Sequence, residues 1–201
     1  MTRRAADEAE VAPVAMWDRI KDQAKNLQQS RGVQGPGART PGGQGGGHGP
    51  GSGGGPRAQL VNMLKAQLSS VKTELKSGAY RDASMAMCAL VAAADGQVDP
   101  AERQHVESMI VGNDVLQNFP ADQLRQRFNK HLDRLLADFQ AGRAEAMQEI
   151  AKVAKKPTEA RAVIQTGIVI AGSDGYFAQA EQHVIREACA ALGLRPEEFN
   201  V

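Results

Sequence analysis

One eight-residue phrase occurs twice in this chain and sets the strongest constraint on its fold. Residues 95–102 read Asp-Gly-Gln-Val-Asp-Pro-Ala-Glu, and residues 174–181 read Asp-Gly-Tyr-Phe-Ala-Gln-Ala-Glu. The Asp, the Gly and the Glu each recur 79 positions later. Because each copy follows a long apolar run and opens an amphipathic stretch, we expect two acidic turns, each joining a buried helix to an amphipathic one.

Composition narrows the class of protein. A length of 201 residues fits one domain with an appendage. The net charge of +1 gives no general attraction to nucleic acid, and the aromatic content of 4% leaves few side chains on which bases could stack. Two cysteines make no disulfide framework, and the longest apolar run, 85–94, is shorter than the roughly 18–20 residues of a membrane-spanning helix. No secretory signal is recognisable, so we expect a reduced, cytoplasmic protein.

Three regions follow from the distribution of glycine and proline. Residues 30–56 are dominated by these two residues and form a disordered linker, with an end-to-end distance of about 30 Å. Residues 57–201 form the folded domain. Residues 1–29 contain a tail and an amphipathic helix over 11–29.

That helix carries the only tryptophan of the chain, Trp17, on an apolar stripe with Ile20, Ala24 and Leu27. The stripe favours docking on a membrane or on a protein partner. The alternative is that the helix packs loosely on its own domain or stays partly unfolded.

The folded region contains seven stretches with helical period and no convincing strand. We expect Gly78 to end the first helix, Asp82 to cap the second, and Gly142 to separate the fourth from the fifth. The predicted fold class is all-α, a bundle of about seven helices in two pseudo-twofold-related halves, with 82–94 and 158–171 as the central pair. The predicted helices span 57–77, 82–94, 102–111, 121–140, 144–155, 158–171 and 180–192.

The repeated phrase matches the second half of a calcium-binding EF-hand loop. In that loop the fifth residue is a ligand, the sixth is the turn glycine and the twelfth is a bidentate glutamate. The first half is missing, so neither loop alone supplies the six to eight oxygens that calcium prefers. Converging loops, waters or backbone carbonyls would have to complete a site for Ca²⁺, Mg²⁺ or Zn²⁺. The candidate metal ligands are Asp95, Asp99, Glu102, Asp174 and Glu181.

Ordinary turn and capping chemistry is the alternative interpretation of these acids. Asp before Gly is common in turns, and an acid near a helix start is an ordinary cap. The repeated glutamate favours a ligand, because a simple turn does not require it. Zinc would need more nitrogen or sulfur ligands than Glu102 and His105 supply.

Catalysis finds little support in the sequence. Cys88 and Cys189 lie on apolar helical faces and are predicted to be core residues. The glycines of 42–55 follow no strand, so they form no phosphate loop. Basic residues within 125–134 alternate with acids and indicate a solvated helix face. We therefore expect no enzyme.

Several longer stretches resemble the tellurite-resistance proteins of the TerB type. Two of them are Ala-Met-Cys-Ala-Leu-Val-Ala-Ala-Ala-Asp-Gly at 86–96 and Ile-Val-Ile-Ala-Gly-Ser-Asp-Gly at 168–175. Shorter matches are Phe-Asn-Lys at 128–130, Arg-Glu-Ala-Cys at 186–189 and Ala-Leu-Gly-Leu at 191–194. The resemblance covers about residues 60–200.

The resemblance implies an all-helical fold of two related halves, an acidic surface that binds metal ions, and a role in bacterial tellurite resistance and stress response. It also implies partners among other proteins of that system, including an integral membrane member. The second loop is less acidic than is usual in relatives, which shifts the expected metal site toward Asp95, Asp99 and Glu102. The chain is thus predicted to be a cytoplasmic metal-ion-binding adaptor, with membrane contact at the inner face through 11–29. The alternative is a purely structural interaction adaptor without an ion.

Removal of residues 1–56 tests this division of the chain. Because no core can form from the linker composition, the shortened protein should melt in nearly the same transition as the full chain. Thermal unfolding followed by circular dichroism measures this, and a large loss of stability would mean that the N-terminal helix belongs to the core.

Overall fold

A computed structural model describes residues 55–172 and 177–201. Seven α-helices and no strand occur in these residues, so the predicted all-α class is confirmed. The same residues contain no helix long and apolar enough to cross a membrane. The predicted helix over 11–29 lies outside the described residues.

The helices are α1 (Pro56–Ser70), α2 (Gly78–Ala92), α3 (Pro100–Gly112), α4 (Ala121–Ala137), α5 (Phe139–Ala151), α6 (Pro157–Ala171) and α7 (Gln179–Leu192), with 3-10 helices at Leu116–Asn118 and Pro196–Phe199.

Helix α2 lies at the centre of the domain, where it packs against α4, α5, α6 and α7. Every residue from Ala83 to Ala92 is buried. The many alanines of this helix let four neighbours approach closely, as the density of protein interiors requires. Helix α6 is likewise buried from Ala162 to Ala171 and packs against α2. The predicted central pair of buried helices is therefore present.

One hydrogen bond inside the core links the two central helices. The hydroxyl oxygens of Tyr80 on α2 and Thr166 on α6 lie 3.0 Å apart, and both residues are fully buried. Burial raises the pKa of Tyr80 to about 12, so its phenol stays neutral. A buried polar pair of this kind fixes the register of α2 against α6, since sliding either helix would leave a hydroxyl without its partner.

The connection from α1 to α2 differs from the prediction. Helix α1 ends at Ser70, and Gly78 begins α2 instead of stopping α1. The Ser77 side chain caps α2 by accepting a hydrogen bond from the Tyr80 backbone N–H at 3.0 Å. Asp82, predicted as the cap, lies inside α2. Its carboxylate pairs with Arg81 at 2.7 Å and with Arg127 of α4 at 3.6 Å.

A distant side chain determines where this connection runs. The Asn118 side-chain amide donates to the carbonyl of Lys72 at 2.7 Å and to that of Leu75 at 3.1 Å. These bonds satisfy carbonyls left over beyond the end of α1. They come from the 3-10 helix that follows α3, so local sequence signals could not have predicted them.

The break between α4 and α5 also lies elsewhere than predicted. The chain turns at Asp138, whose carboxylate accepts from the Ala141 N–H at 3.0 Å and so caps α5. Gly142 lies inside α5 and is buried. A Cβ atom there would come within 2.7 Å of the backbone of Leu135. Gly142 therefore permits the close approach of α4 and α5 and does not end a helix.

The substitution Gly142→Ala should lower the free energy of unfolding by about 1–3 kcal/mol, the usual cost of overpacking. The added methyl group meets main-chain atoms, which cannot move away without separating α4 from α5. Gly112→Ala is the matched control, because a Cβ atom there meets nothing within 4 Å. Urea unfolding of both variants measures the difference, and equal stabilities would contradict the close contact.

Candidate functional site

The first acidic loop turns tightly at Asp95 and Gly96. The Asp95 carboxylate accepts from the Gln97 N–H at 3.1 Å, and the Gly96 N–H donates to the carbonyl of Ala93 at 2.9 Å. Gly96 has a φ of 85°, a conformation that glycine adopts without steric cost. Asp95 itself is exposed. The loop therefore holds one solvent-facing carboxylate at the end of the central helix.

The other two acids of this loop form the cap of α3. The Asp99 Oδ1 atom accepts from the N–H groups of Ala101 and Glu102 at 2.8 and 2.9 Å. The Glu102 Oε2 atom accepts in return from the Asp99 N–H at 2.7 Å. This reciprocal pair is a capping box. It places both carboxylates at the N-terminus of α3, where the helix dipole favours negative charge.

The second loop keeps only half of that arrangement. The Glu181 Oε2 atom accepts from the Ala178 N–H at 2.8 Å, as Glu102 does for Asp99. Ala178 stands where the first loop has Asp99, and its side chain has no acceptor atom. Glu181 is 3% exposed and Glu102 is 8% exposed. The glutamate thus recurs in the two loops with the same capping role, a reason for its recurrence that the spacing alone did not indicate.

The five predicted ligands are distributed as follows. The structure brings Asp99 and Glu102 together and places Asp95 at the start of the same loop. Glu181 lies at the start of α7, and Asp174 is outside the described residues. Within 55–172 and 177–201, no three His, Cys, Asp or Glu side chains are grouped so as to hold a metal ion. The oxygen donors of the five predicted ligands suit Ca²⁺ or Mg²⁺ better than Zn²⁺.

The second loop is also held by contacts that the sequence interpretation missed. The guanidinium of Arg57 lies over the Phe177 ring, 5.0 Å from its centroid, a cation–π arrangement. Phe177 is buried, and a Cβ atom at Gly172 would come within 2.8 Å of both the Phe177 ring and Val61. The position of Arg57 could have indicated this contact from the sequence. It lies in the first turn of α1, where the helix dipole disfavours a cation, so a specific partner for its charge was to be expected.

Both cysteines are core residues, as predicted. Cys88 and Cys189 are fully buried. Burial raises the pKa of each thiol to about 12, so neither forms a thiolate nucleophile near neutral pH.

The capping box can be removed from one loop and completed in the other. Asp99→Ala should lower the free energy of unfolding by about 1 kcal/mol, because two N–H groups lose their acceptor. Ala178→Asp should raise it by up to about 1 kcal/mol, because it supplies the missing acceptor to α7. Urea unfolding measures both changes.

Asp99→Asn is the matched control, since asparagine caps helices nearly as well as aspartate. A loss as large in Asp99→Asn as in Asp99→Ala would show that the charge stabilises α3 and the hydrogen bonds do not.

Comparison with known proteins finds similar sequences for most of the described domain. The family model described as "Tellurite resistance protein TerB" matches residues 81–201, which is more than half of the chain. A relative from an Alcaligenes species, named "Tellurium resistance protein TerB", is 24% identical over 119 residues. That alignment covers 56% of this chain and 98% of the relative. No solved structure matches the chain significantly.

The match includes the first acidic loop, α3 to α7 and the second acidic loop, and it excludes α1 and everything before it. With its central α2–α6 pair and its two Asp-Gly loops, the chain belongs to the TerB family of tellurite-resistance proteins.

Proposed function

We propose that this protein is a non-enzymatic, cytoplasmic module that binds a divalent cation weakly at its first acidic loop and reports the bound state to a protein partner. The observation that supports the proposal is that Asp95, Asp99 and Glu102 occur within eight consecutive residues after the central helix, where the capping box brings Asp99 and Glu102 together. The second loop contributes Asp174 and Glu181 as further candidate ligands, on the strength of the repeated sequence alone.

The capping hydrogen bonds determine how strong such binding can be. Asp99 and Glu102 accept from three backbone N–H groups in total. A cation would compete with these donors and with the positive end of the helix dipole. One oxygen of each of the three carboxylates already accepts a backbone hydrogen bond. The remaining oxygens fall short of the six to eight that calcium prefers, so waters would complete the shell. We therefore expect a dissociation constant on the order of 10⁻⁴–10⁻³ M, as in weak calcium modules.

The same competition supplies a way to transmit the bound state. Helix α3 buries few side chains, namely Glu102, Val106 and Ile110. Polar contacts with α4 supplement this stripe, among them Arg103 to Asp133 at 2.8 Å and Asn129 to Glu107 at 2.7 Å. A cation that draws Asp99 and Glu102 from the backbone would loosen the first turn of α3, which is lightly anchored. A partner that contacts α3 would then sense the ion.

The proposed partners are other tellurite-resistance and stress-response proteins, including an integral membrane member. Family membership supports this part of the proposal. Residues 11–29 are the proposed contact with the membrane or with that membrane protein.

A purely structural adaptor is the second candidate function, and the capping box favours it. The caps at Asp99, Glu102 and Glu181 satisfy backbone donors without any ion. In this alternative the loops serve only to orient α3 and α7.

A titration with each cation separates the two functions. Calcium, magnesium and zinc chlorides are added to ¹⁵N-labelled protein at constant ionic strength, and backbone amide shifts are followed to millimolar ion. The metal-binding function predicts saturable shifts at Gly96 and in the first turn of α3. Unchanged Gly96 and Gly175 amides would leave the structural adaptor as the function.

The double substitution Asp95→Asn with Glu102→Gln is the matched variant for this titration. Both amides keep an oxygen that can accept the backbone hydrogen bonds, so the helical signal and the stability should stay close to those of the unmodified protein. The saturable shifts should disappear. Glu74→Gln, outside the acidic loops, removes one negative charge and should leave the titration unchanged.

A further inference from the structure

A cavity of about 550 Å³ opens beside the first acidic loop, between the starts of α5 and α7. The apolar part of the cavity is formed by Phe139 of α5, Val184 of α7 and Ala94, which follows the buried helix α2. Since a water molecule occupies about 30 Å³ of liquid, the cavity has room for a small ligand together with several waters.

The charged side chains around this cavity are cationic. Arg143 of α5 and Arg186 of α7 line it, together with His183 of α7, and no Asp or Glu is among the described residues that do so. The side chains of Gln179 and Gln182 add neutral donors. Two helices thus contribute two arginines and a histidine to the lining of one hollow, and these are residue types that bind oxyanions.

One neighbouring carboxylate partly balances this charge. Glu187 accepts a two-bond ion pair from Arg143 and lies 3.2 Å from the Nε2 atom of His183. Arg186, by contrast, donates to the neutral Gln182 at 3.2 Å and forms no ion pair with a described residue. Arg186 is therefore the cation whose charge is least compensated.

We propose that this cavity binds a small, multiply charged oxyanion, either free or as the headgroup of a larger molecule. Arg186 would supply the main positive charge. Arg143 and His183 would contact both the anion and the Glu187 carboxylate. This site is separate from the proposed cation loop. It rests on different residues and does not depend on cation binding.

Inorganic phosphate is the first probe, with sulfate and tellurite as parallel arms and acetate as the singly charged comparison. The titrations follow side-chain and backbone ¹⁵N shifts of α7 at constant ionic strength, with a chelator present to exclude divalent cations. Saturable shifts at Gln179, His183 and Arg186 with the multiply charged anions are expected. Shifts that rise without saturation, or that acetate reproduces at equal concentration, would overturn the proposal.

Two substitutions should change phosphate affinity in opposite directions. Arg186→Gln should weaken binding at least tenfold, since it removes the least compensated cation. Glu187→Gln should tighten binding severalfold, because it removes the competing carboxylate while keeping one acceptor oxygen for Arg143. Arg125→Gln on α4 is the control for net charge, since Arg125 is half-exposed and away from the cavity. It should change affinity less than twofold, and an effect equal to that of Arg186→Gln would contradict a specific site.

Sedimentation with vesicles distinguishes a free anion from a lipid headgroup. Phosphatidylcholine vesicles with and without phosphatidic acid are mixed with the full chain and with the Arg186→Gln variant. Pelleting that requires both phosphatidic acid and Arg186 would place the oxyanion on a lipid. Binding of soluble phosphate without pelleting would assign the site to a free anion.

Discussion

The burial of α2 on all sides is the constraint on which the rest of the domain depends. A helix covered by four neighbours has no polar face, so its side chains must be apolar or satisfied by each other. The run from Ala83 to Ala92 is apolar except for the buried Ser84, and the Tyr80–Thr166 hydrogen bond sets its register against α6. Once α2 is fixed, its C-terminal end fixes where the chain emerges to form the first acidic loop. The position of Asp95 therefore follows from the packing of the core.

The acidic loops show how one set of carboxylates can serve structure and remain available for chemistry. Asp99 and Glu102 close the N-terminus of α3, and Glu181 does the same for α7. Because these bonds satisfy donors that have no partner inside the helix, the glutamates stabilise the helix starts whether or not an ion binds. Any ligand for these oxygens must compete with the backbone, so ion affinity and helix stability are linked through the same atoms.

The proposed cation loop and the proposed anion cavity are adjacent along the chain. Ala94 lines the Arg143–His183–Arg186 cavity, and the next residue is the exposed Asp95. Glu187 contacts two of the cavity residues, Arg143 and His183. The packing of α5 on α7 brings the two arginines of this cavity together, although the chain as a whole has a net charge of only +1.

The sequence by itself determined the all-α class, the two buried helices, the core position of both cysteines and the acidic turn at Asp95 and Gly96. These properties depend on local periodicity, because side chains three and four residues apart share one face of a helix. Only the tertiary structure decided that Ser77 and Asp138 start helices, that Gly142 serves a helix contact, and that the repeated glutamates are caps. The capping bonds themselves span only three residues, but the place where each helix breaks depends on packing. In the connection from α1 to α2, for example, Asn118 donates to the carbonyl of Lys72, 46 residues away. The cavity between α5 and α7 belongs to the same group, since its cations lie on two helices whose approach no local pattern specifies.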